Sequence, residues 1–213
     1  MRKLIFIVSF FITCLCCYLV QAQNISTLTP ELKQQLLDTT ASMFSVSPQG
    51  MGSCSGTIVN EVNGNFHILT AKHCLGVTTE TYFDNKPATL IVASPTQDLA
   101  YAIIEGTIKD KKVAKFSSFS ANIGESIYHV SYPDEILFVS EGKIYRQTPK
   151  NDYAYLDSIH GCSGGGIFNK YGEVIGVLWG GYNTRKDSVT IMVPLREIND
   201  FLDEIETTLN IKR

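Results

Sequence analysis

The chain has 213 residues, 44% hydrophobic and 18% charged, which is enough for one large all-β domain or two small ones with a genuine core. No low-complexity run, heptad pattern or solenoid repeat runs through it, so disorder and repeat architectures are excluded. Its 18 Lys and Arg against 21 Asp and Glu give a net charge of −3, and no basic cluster forms a phosphate-tracking stripe, which argues against nucleic acid as a partner.

The chain opens with Arg2 and Lys3, followed by an apolar run from Leu4 to Val20 that ends in Val20-Gln21-Ala22. This reads as a signal peptide over residues 1–22, cut after Ala22, and predicts a secreted or periplasmic protein. An uncleaved membrane anchor or a lipid-modified cysteine is the rival reading, but the run is short for a span, so no stable membrane insertion is expected after processing. Removal of the leader takes Arg2 and Lys3 with it and leaves 16 basic against 21 acidic residues, a formal charge of −5. Cys14, Cys16 and Cys17 leave as well, so an exported chain keeps Cys54, Cys74 and Cys162, of which one must stay single. Cys54 and Cys74 fall in neighbouring predicted strands and can pair. With no CxxC or HxxxH spacing, neither a metal site nor any other cofactor is expected.

Residues 23–40 form a separate helical segment or a removable pro-piece, with Thr29 as N-cap, Pro30 in the first turn and Leu32, Leu36 and Leu37 as the apolar face. From residue 41 the period changes. Short runs rich in Val, Ile, Phe, Tyr and Thr predict strands at 42–47, 54–59, 66–71, 81–83, 89–93 and 99–104, then at 126–131, 137–145, 153–156, 166–169, 174–179 and 188–194. Turn signals at Asn63-Gly64, Asp84-Asn85, Ile123-Gly124, Glu141-Gly142 and Tyr171-Gly172 separate them. The pattern is that of an antiparallel sandwich or barrel, in two groups of six (about 41–110 and 120–195) joined by a polar, lysine-rich connection. A last helix over 195–210 carries Ile198, Leu202, Ile205 and Leu209 on one face and is expected to pack on the second half.

Three short blocks carry chemistry. Gly161-Cys162-Ser163-Gly164-Gly165 offers a serine on a tight turn, where glycines permit an exposed hydroxyl and leave the amides of Gly161 and Ser163 free to meet a developing oxyanion. Thr70-Ala71-Lys72-His73-Cys74 sets a histidine at a strand end, a fixed place for a general base. Asp98-Leu99-Ala100-Tyr101-Ala102 puts a carboxylate just ahead of an apolar strand, where it can hold the other imidazole nitrogen. Each block alone has a bland reading: a glycine-rich turn, a structural histidine, a turn aspartate. Their order gives them weight, with His73 and Asp98 in one half and Ser163 in the other.

In that order the T-A-x-H-C, D-x-A and G-x-S-G-G blocks resemble the trypsin/chymotrypsin family, over about residues 42–194. The resemblance implies an all-β fold of two six-stranded antiparallel barrels. It also implies a monomeric serine endopeptidase acting on protein or peptide substrates through base His73, orienting acid Asp98 and nucleophile Ser163. Family members commonly bridge the cysteine after the histidine to one in the preceding strand, here Cys74 to Cys54. Compact loops make the chain look more like bacterial and viral members. Two departures stand out. Cys162 replaces the aspartate that pairs with a new N-terminus in the animal enzymes, and the start near Gln23 lacks their apolar N-terminal residues.

By the same resemblance, Asp157 and Ser158 occupy the floor of the substrate pocket and imply cleavage after Lys or Arg, while Trp179 and Gly180 line the strand that pairs with an extended substrate. A glutamate-specific pocket would instead need a cationic group, with His160 and Arg185 as candidates. A catalytically silent binding module of the same fold is the rival class, separable by fluorophosphonate labelling of Ser163. An esterase of another fold is disfavoured, because the histidine precedes the serine in the chain.

Overall fold

A computed structural model describes residues 27–48, 50–76 and 80–211; the signal peptide expected over 1–22 lies outside them. Helix α1 (Pro30–Asp38) starts as its sequence dictates, with Thr29 Oγ1 accepting from the Leu32 amide at 3.2 Å and Pro30 in the first turn. Its end is held by the Thr39 and Thr40 hydroxyls, which both donate to the Leu36 carbonyl. Leu36 is fully buried among Ala114, Tyr128, Val130, Phe168 and Val174, so α1 closes the base of the second barrel.

The first barrel comprises β1 (Thr40–Ser47), β2 (Gly50–Val62), β3 (Asn65–Thr70), β4 (Glu80–Phe83), β5 (Lys86–Ala93) and β6 (Ala100–Ile104). The strands close in the order β1-β2-β3-β6-β5-β4, all antiparallel. Two of its hairpins have positive φ at each central residue, 53° and 76° at Asn63-Gly64 and 44° and 66° at Asp84-Asn85. Such turns match the strand twist and set the register. Inward residues such as Met43, Ile58, Phe66, Ile68 and Phe83 fill the barrel.

The second barrel is built from β8 (Ser126–Ser131), β9 (Phe138–Gln147), β10 (Asp152–Tyr155), β11 (Gly166–Phe168), β12 (Glu173–Asn183) and β13 (Ser188–Pro194). Its order is β11-β8-β9-β10-β13-β12, closed by β11 pairing with β12. The two-barrel, all-β architecture expected from the blocks is therefore present.

Three local expectations change. The polar connection carries a short strand, β7 (Lys115–Phe116), which lies parallel to β12 because buried Ala114 and half-buried Phe116 anchor it. Glu141-Gly142 is strand rather than turn: it lies inside β9, where a Cβ on Gly142 would come within 2.0 Å of the Tyr155 carbonyl, so its glycine serves a close strand crossing. The last helix, α2 (Leu195–Leu209), packs on both halves. Its Ile198, Phe201, Leu202 and Ile205 share a cluster with Val59, Leu69, Leu99 and Tyr101 of the first barrel and with Val177 and Val193 of the second.

Candidate active site

His73 sits in a single 3₁₀ turn (Lys72–Cys74) directly after β3. The next residue, Cys74, is bonded to Cys54 on β2, with Cα atoms 6.2 Å apart, so the turn is tied to the barrel wall beside the imidazole. Asp98 closes the loop between β5 and β6. That loop is wound on Ser94, whose hydroxyl accepts from the Thr96 and Gln97 amides and whose amide donates to the Leu99 carbonyl. Lys72 Nζ donates to the Ser94 carbonyl at 2.8 Å and joins the aspartate loop to the histidine turn.

The carboxylate meets His73 twice: Oδ1 accepts the His73 amide at 2.8 Å, and Oδ2 lies 2.8 Å from Nδ1. Burial opposes the charge on Asp98, but the His73 side chain and amide, together with the Lys72 amide, outweigh it and hold the carboxyl below the usual carboxylate range. An ionised Asp98 accepts the Nδ1–H hydrogen bond, which leaves the Nε2 lone pair directed away from the carboxylate.

Ser163 comes from the second barrel, in the turn between β10 and β11. This turn leans on the first barrel through Ser55, a fully buried residue of β2. The Ser55 amide donates to the Ser163 carbonyl at 2.8 Å and its hydroxyl to the Gly161 carbonyl at 3.0 Å; the same hydroxyl accepts the Tyr132 amide. Two glycines allow the contact. Gly161 (φ +91°) passes so close to Pro133 that a Cβ would lie 2.6 Å away, and a Cβ on Gly164 (φ +84°) would lie 2.2 Å from both the Ser55 carbonyl and the Thr70 hydroxyl. The Gly164 amide is taken by the Leu178 carbonyl and that of Gly165 by the Cys162 carbonyl. Among the described residues, the amides of Gly161 and Ser163 have no acceptor.

His73, Ser163, Gly161 and His160 line one open cavity of about 520 Å³ between the barrels, with Cys54 and Cys74 in its wall. Among the described residues the Ser163 hydroxyl makes no hydrogen bond; His73 Nε2 has the Cys74 sulfur 3.8 Å away. Asp157, Ser158, Trp179 and Gly180 are not in this wall. Asp157 is exposed, and its carbonyl accepts the Ser140 hydroxyl. Ser158 Oγ lies 2.9 Å from the buried Thr190 hydroxyl. Trp179 packs between the barrels and donates its indole N–H to Asn151 Oδ1 at 3.0 Å, while Gly180 lies at a bulge of β12 with open space around it.

Cys162 is a buried free thiol that accepts from the Ser131 hydroxyl (3.2 Å) and the Ile159 amide (3.4 Å). Burial pushes its pKa up against those two bonds, so it stays a thiol at neutral pH. Ser55 escaped the sequence reading. Nothing local marks it, because its partners at Gly161 and Ser163 lie more than a hundred residues away.

The two-barrel fold and the sequence together define a class, the trypsin-like peptidase domains. Residues 54–177, more than half of the chain, match the trypsin-like peptidase domain family, and the chain belongs to it. A serine protease HtrA-like protein of Staphylococcus haemolyticus (strain JCSC1435) is 27% identical over 178 residues, covering 71% of this chain. The alignment covers only 28% of that relative, so the chain spans under a third of its length. Among solved structures, the serine endoprotease of Yersinia pestis superposes with a TM-score of 0.69 at 19% identity, over 81% of this chain and 65% of that one. An inactive form of Rv3671c from M. tuberculosis H37Rv gives 0.68 at 15% identity, over 90% and 96%. At these identities the two structures attest the fold. No described helix is long and apolar enough to cross a membrane.

Proposed function

We propose that this chain is an exported serine endopeptidase that cleaves proteins or peptides through His73, Asp98 and Ser163. One observation carries the reading: His73, doubly bonded to Asp98, faces the same cavity as Ser163, beside the two uncommitted amides of Gly161 and Ser163. With a peptide bound, the Ser163 hydroxyl turns toward Nε2, gives up its proton and attacks the carbonyl carbon. The two amides take the oxyanion, a contribution of about 3 kcal/mol of barrier per donor. His73 then returns the proton to the departing amine, and water repeats the sequence on the acyl-enzyme. Asp98 keeps the proton on Nδ1 throughout and stabilises the imidazolium.

The leader (1–22) directs export, residues 23–40 precede the peptidase domain (41–213), and the processed chain acts as a monomer without membrane insertion. Selectivity for Lys or Arg before the cut rests on Asp157, whose carboxylate is exposed and has no partner among the described residues. A second reading, selectivity for Glu, is favoured by the place of His160 in the cavity wall.

The test is cleavage of a mixed peptide library by the processed chain. Ser163→Ala is expected to lower kcat on the order of 10⁶-fold with an unchanged circular dichroism spectrum; undiminished turnover would overturn the assignment. In the same library Asp157→Ser is expected to abolish a Lys/Arg preference, whereas loss of a Glu preference in His160→Ala would establish the second reading.

A further inference from the structure

Beyond the leader the sequence offers no CxxC or HxxxH spacing, yet the fold brings Cys54 across from β2 to the adjacent pair His73-Cys74. One ligand atom from each of the three lies within 4.8 Å of the others. We propose that when the Cys54–Cys74 bridge is open, these residues form a Cys₂His site for a thiophilic divalent cation such as Zn²⁺, which occupies the catalytic base and silences the site.

The donor set fits this chemistry. Tetrahedral zinc, with bonds of about 2.3 Å to sulfur and 2.0 Å to nitrogen, sets ligand sulfur and nitrogen about 3.5 Å apart. Cys74 Sγ is already 3.8 Å from His73 Nε2. Metal-bound imidazoles donate their other N–H to a carboxylate, which fixes the tautomer and raises ligand basicity. Asp98 at 2.8 Å from Nδ1 makes this arrangement in advance. Both cysteines are buried in the cavity wall and His73 beside them is exposed, so the cation enters from the His73 side and solvent takes the fourth position.

The chemistry balances. A phosphine opens the bridge by taking oxygen from water: the S–S bond breaks, two thiols form, and the phosphine leaves as its oxide. A dithiol does the same by exchange, its two S–H groups becoming one S–S. Zn²⁺ then displaces the two thiol protons and takes the Nε2 lone pair that would otherwise accept the Ser163 proton. Under reducing conditions the base is thus occupied; exchange with a disulfide oxidant, which is itself reduced to two thiols, forms the Cys54–Cys74 bond, removes two of three ligands, releases Zn²⁺ and frees His73. The inhibitory part rests on the protease reading above, whereas the metal site does not.

The experiment uses the full processed chain, oxidised or reduced with a phosphine, and Co²⁺ as a spectroscopic stand-in for zinc. The reduced chain is expected to show a thiolate-to-cobalt charge-transfer band saturating at one Co²⁺ per chain, displaced by Zn²⁺. The oxidised chain and Cys54→Ala/Cys74→Ala are expected to lack it. Asp98→Asn is expected to weaken cobalt affinity about 10- to 100-fold through the histidine. No band in a reduced chain that keeps its far-ultraviolet spectrum, or an equal band in the double variant, overturns the site. Where reduction loosens the fold, Zn²⁺ is expected to raise the urea midpoint of the reduced chain, and an unmoved midpoint overturns it equally. In peptide cleavage, micromolar Zn²⁺ is expected to lower the activity of the reduced chain about tenfold or more, reversibly by chelator, and to spare the oxidised chain; equal inhibition of both overturns the silencing. Cobalt binding without any peptide cleavage would keep the metal site and sink the protease reading.

Discussion

His73 and Asp98, both from the first barrel, are held to each other by two direct bonds of 2.8 Å, whereas Ser163, from the second, is positioned through its backbone. Its carbonyl is taken by Ser55 across the interface, two flanking glycines pass through gaps with no room for a Cβ, and its hydroxyl stays uncommitted. His73 and Asp98 form a hydrogen-bonded unit that one barrel can assemble. Ser163 and the amides proposed to bind the oxyanion belong to a turn whose shape is held by contacts across the two barrels. Chemical substitutions should therefore injure the first half with little loss of fold, and steric ones should injure the second half through the fold.

After loss of the Ser163 hydroxyl itself, the largest expected effect is that of Asp98→Asn, which keeps the shape but reverses the hydrogen-bond demand on Nδ1. The kcat for peptide cleavage is expected to fall about 10⁴-fold while the urea midpoint moves little; a fall in stability that accounts for the lost activity would break the contrast. Gly164→Ala is expected to do the opposite, since its Cβ meets the Ser55 carbonyl and Thr70 hydroxyl at 2.2 Å and its φ is +84°. A loss of about 3 kcal/mol in urea unfolding should accompany the loss of activity, and a fully stable but inactive variant would contradict the steric account.

Acid should separate the halves too. His129, behind the serine turn, is fully buried, donates from Nδ1 to the Gly166 carbonyl and has no partner at Nε2 among the described residues; burial outweighs that bond and lowers its pKa to about 4. The unfolded imidazole takes a proton below about pH 6.5, so stability is expected to fall as pH drops from about 6.5 to 4, by about 3 kcal/mol for this group. His129→Gln should flatten that slope in denaturant titrations, although not entirely, because burial lowers the pKa of His67 in the same direction. Asp98 acts lower: its depressed pKa gives stability that is present above the ordinary carboxylate value and lost as pH falls through the folded one. The Asp98→Asn variant should therefore match the parent chain's pH slope between 6.5 and 4.5 and differ only below it.

Replacing both Cys54 and Cys74 by serine opens a loop spanning 20 positions and is expected to cost about 3 kcal/mol in unfolding. Ser55→Ala keeps the amide bond to Ser163 but removes the hydroxyl shared by Gly161 and Tyr132. It is expected to lower stability by about 1 kcal/mol and to reduce kcat more than KM, since the Gly161 amide belongs to the oxyanion pair. A change confined to KM would show that the clamp serves substrate binding instead.

His73, Asp98 and Ser163 were legible because each depends on a setting written within five residues: a strand end beside a cysteine, a carboxylate ahead of an apolar run, a serine among glycines. The twelve barrel strands were legible for a similar reason, since alternation and turn residues are local. Ser55 carried no such mark, and Gly142 carried a misleading one, because a glycine made necessary by a neighbouring strand looks like a glycine in a turn. Strand β7 was too short for any period to register.

The amino-acid order by itself settled which residue types could perform the chemistry and on which strand ends they stand, because backbone preference and hydrophobic period act over a few residues. Only the tertiary structure decided that α2 seals the seam of both barrels and that Ser55 holds the Ser163 turn. Those relations depend on contacts between segments far apart in the chain, which no local pattern encodes.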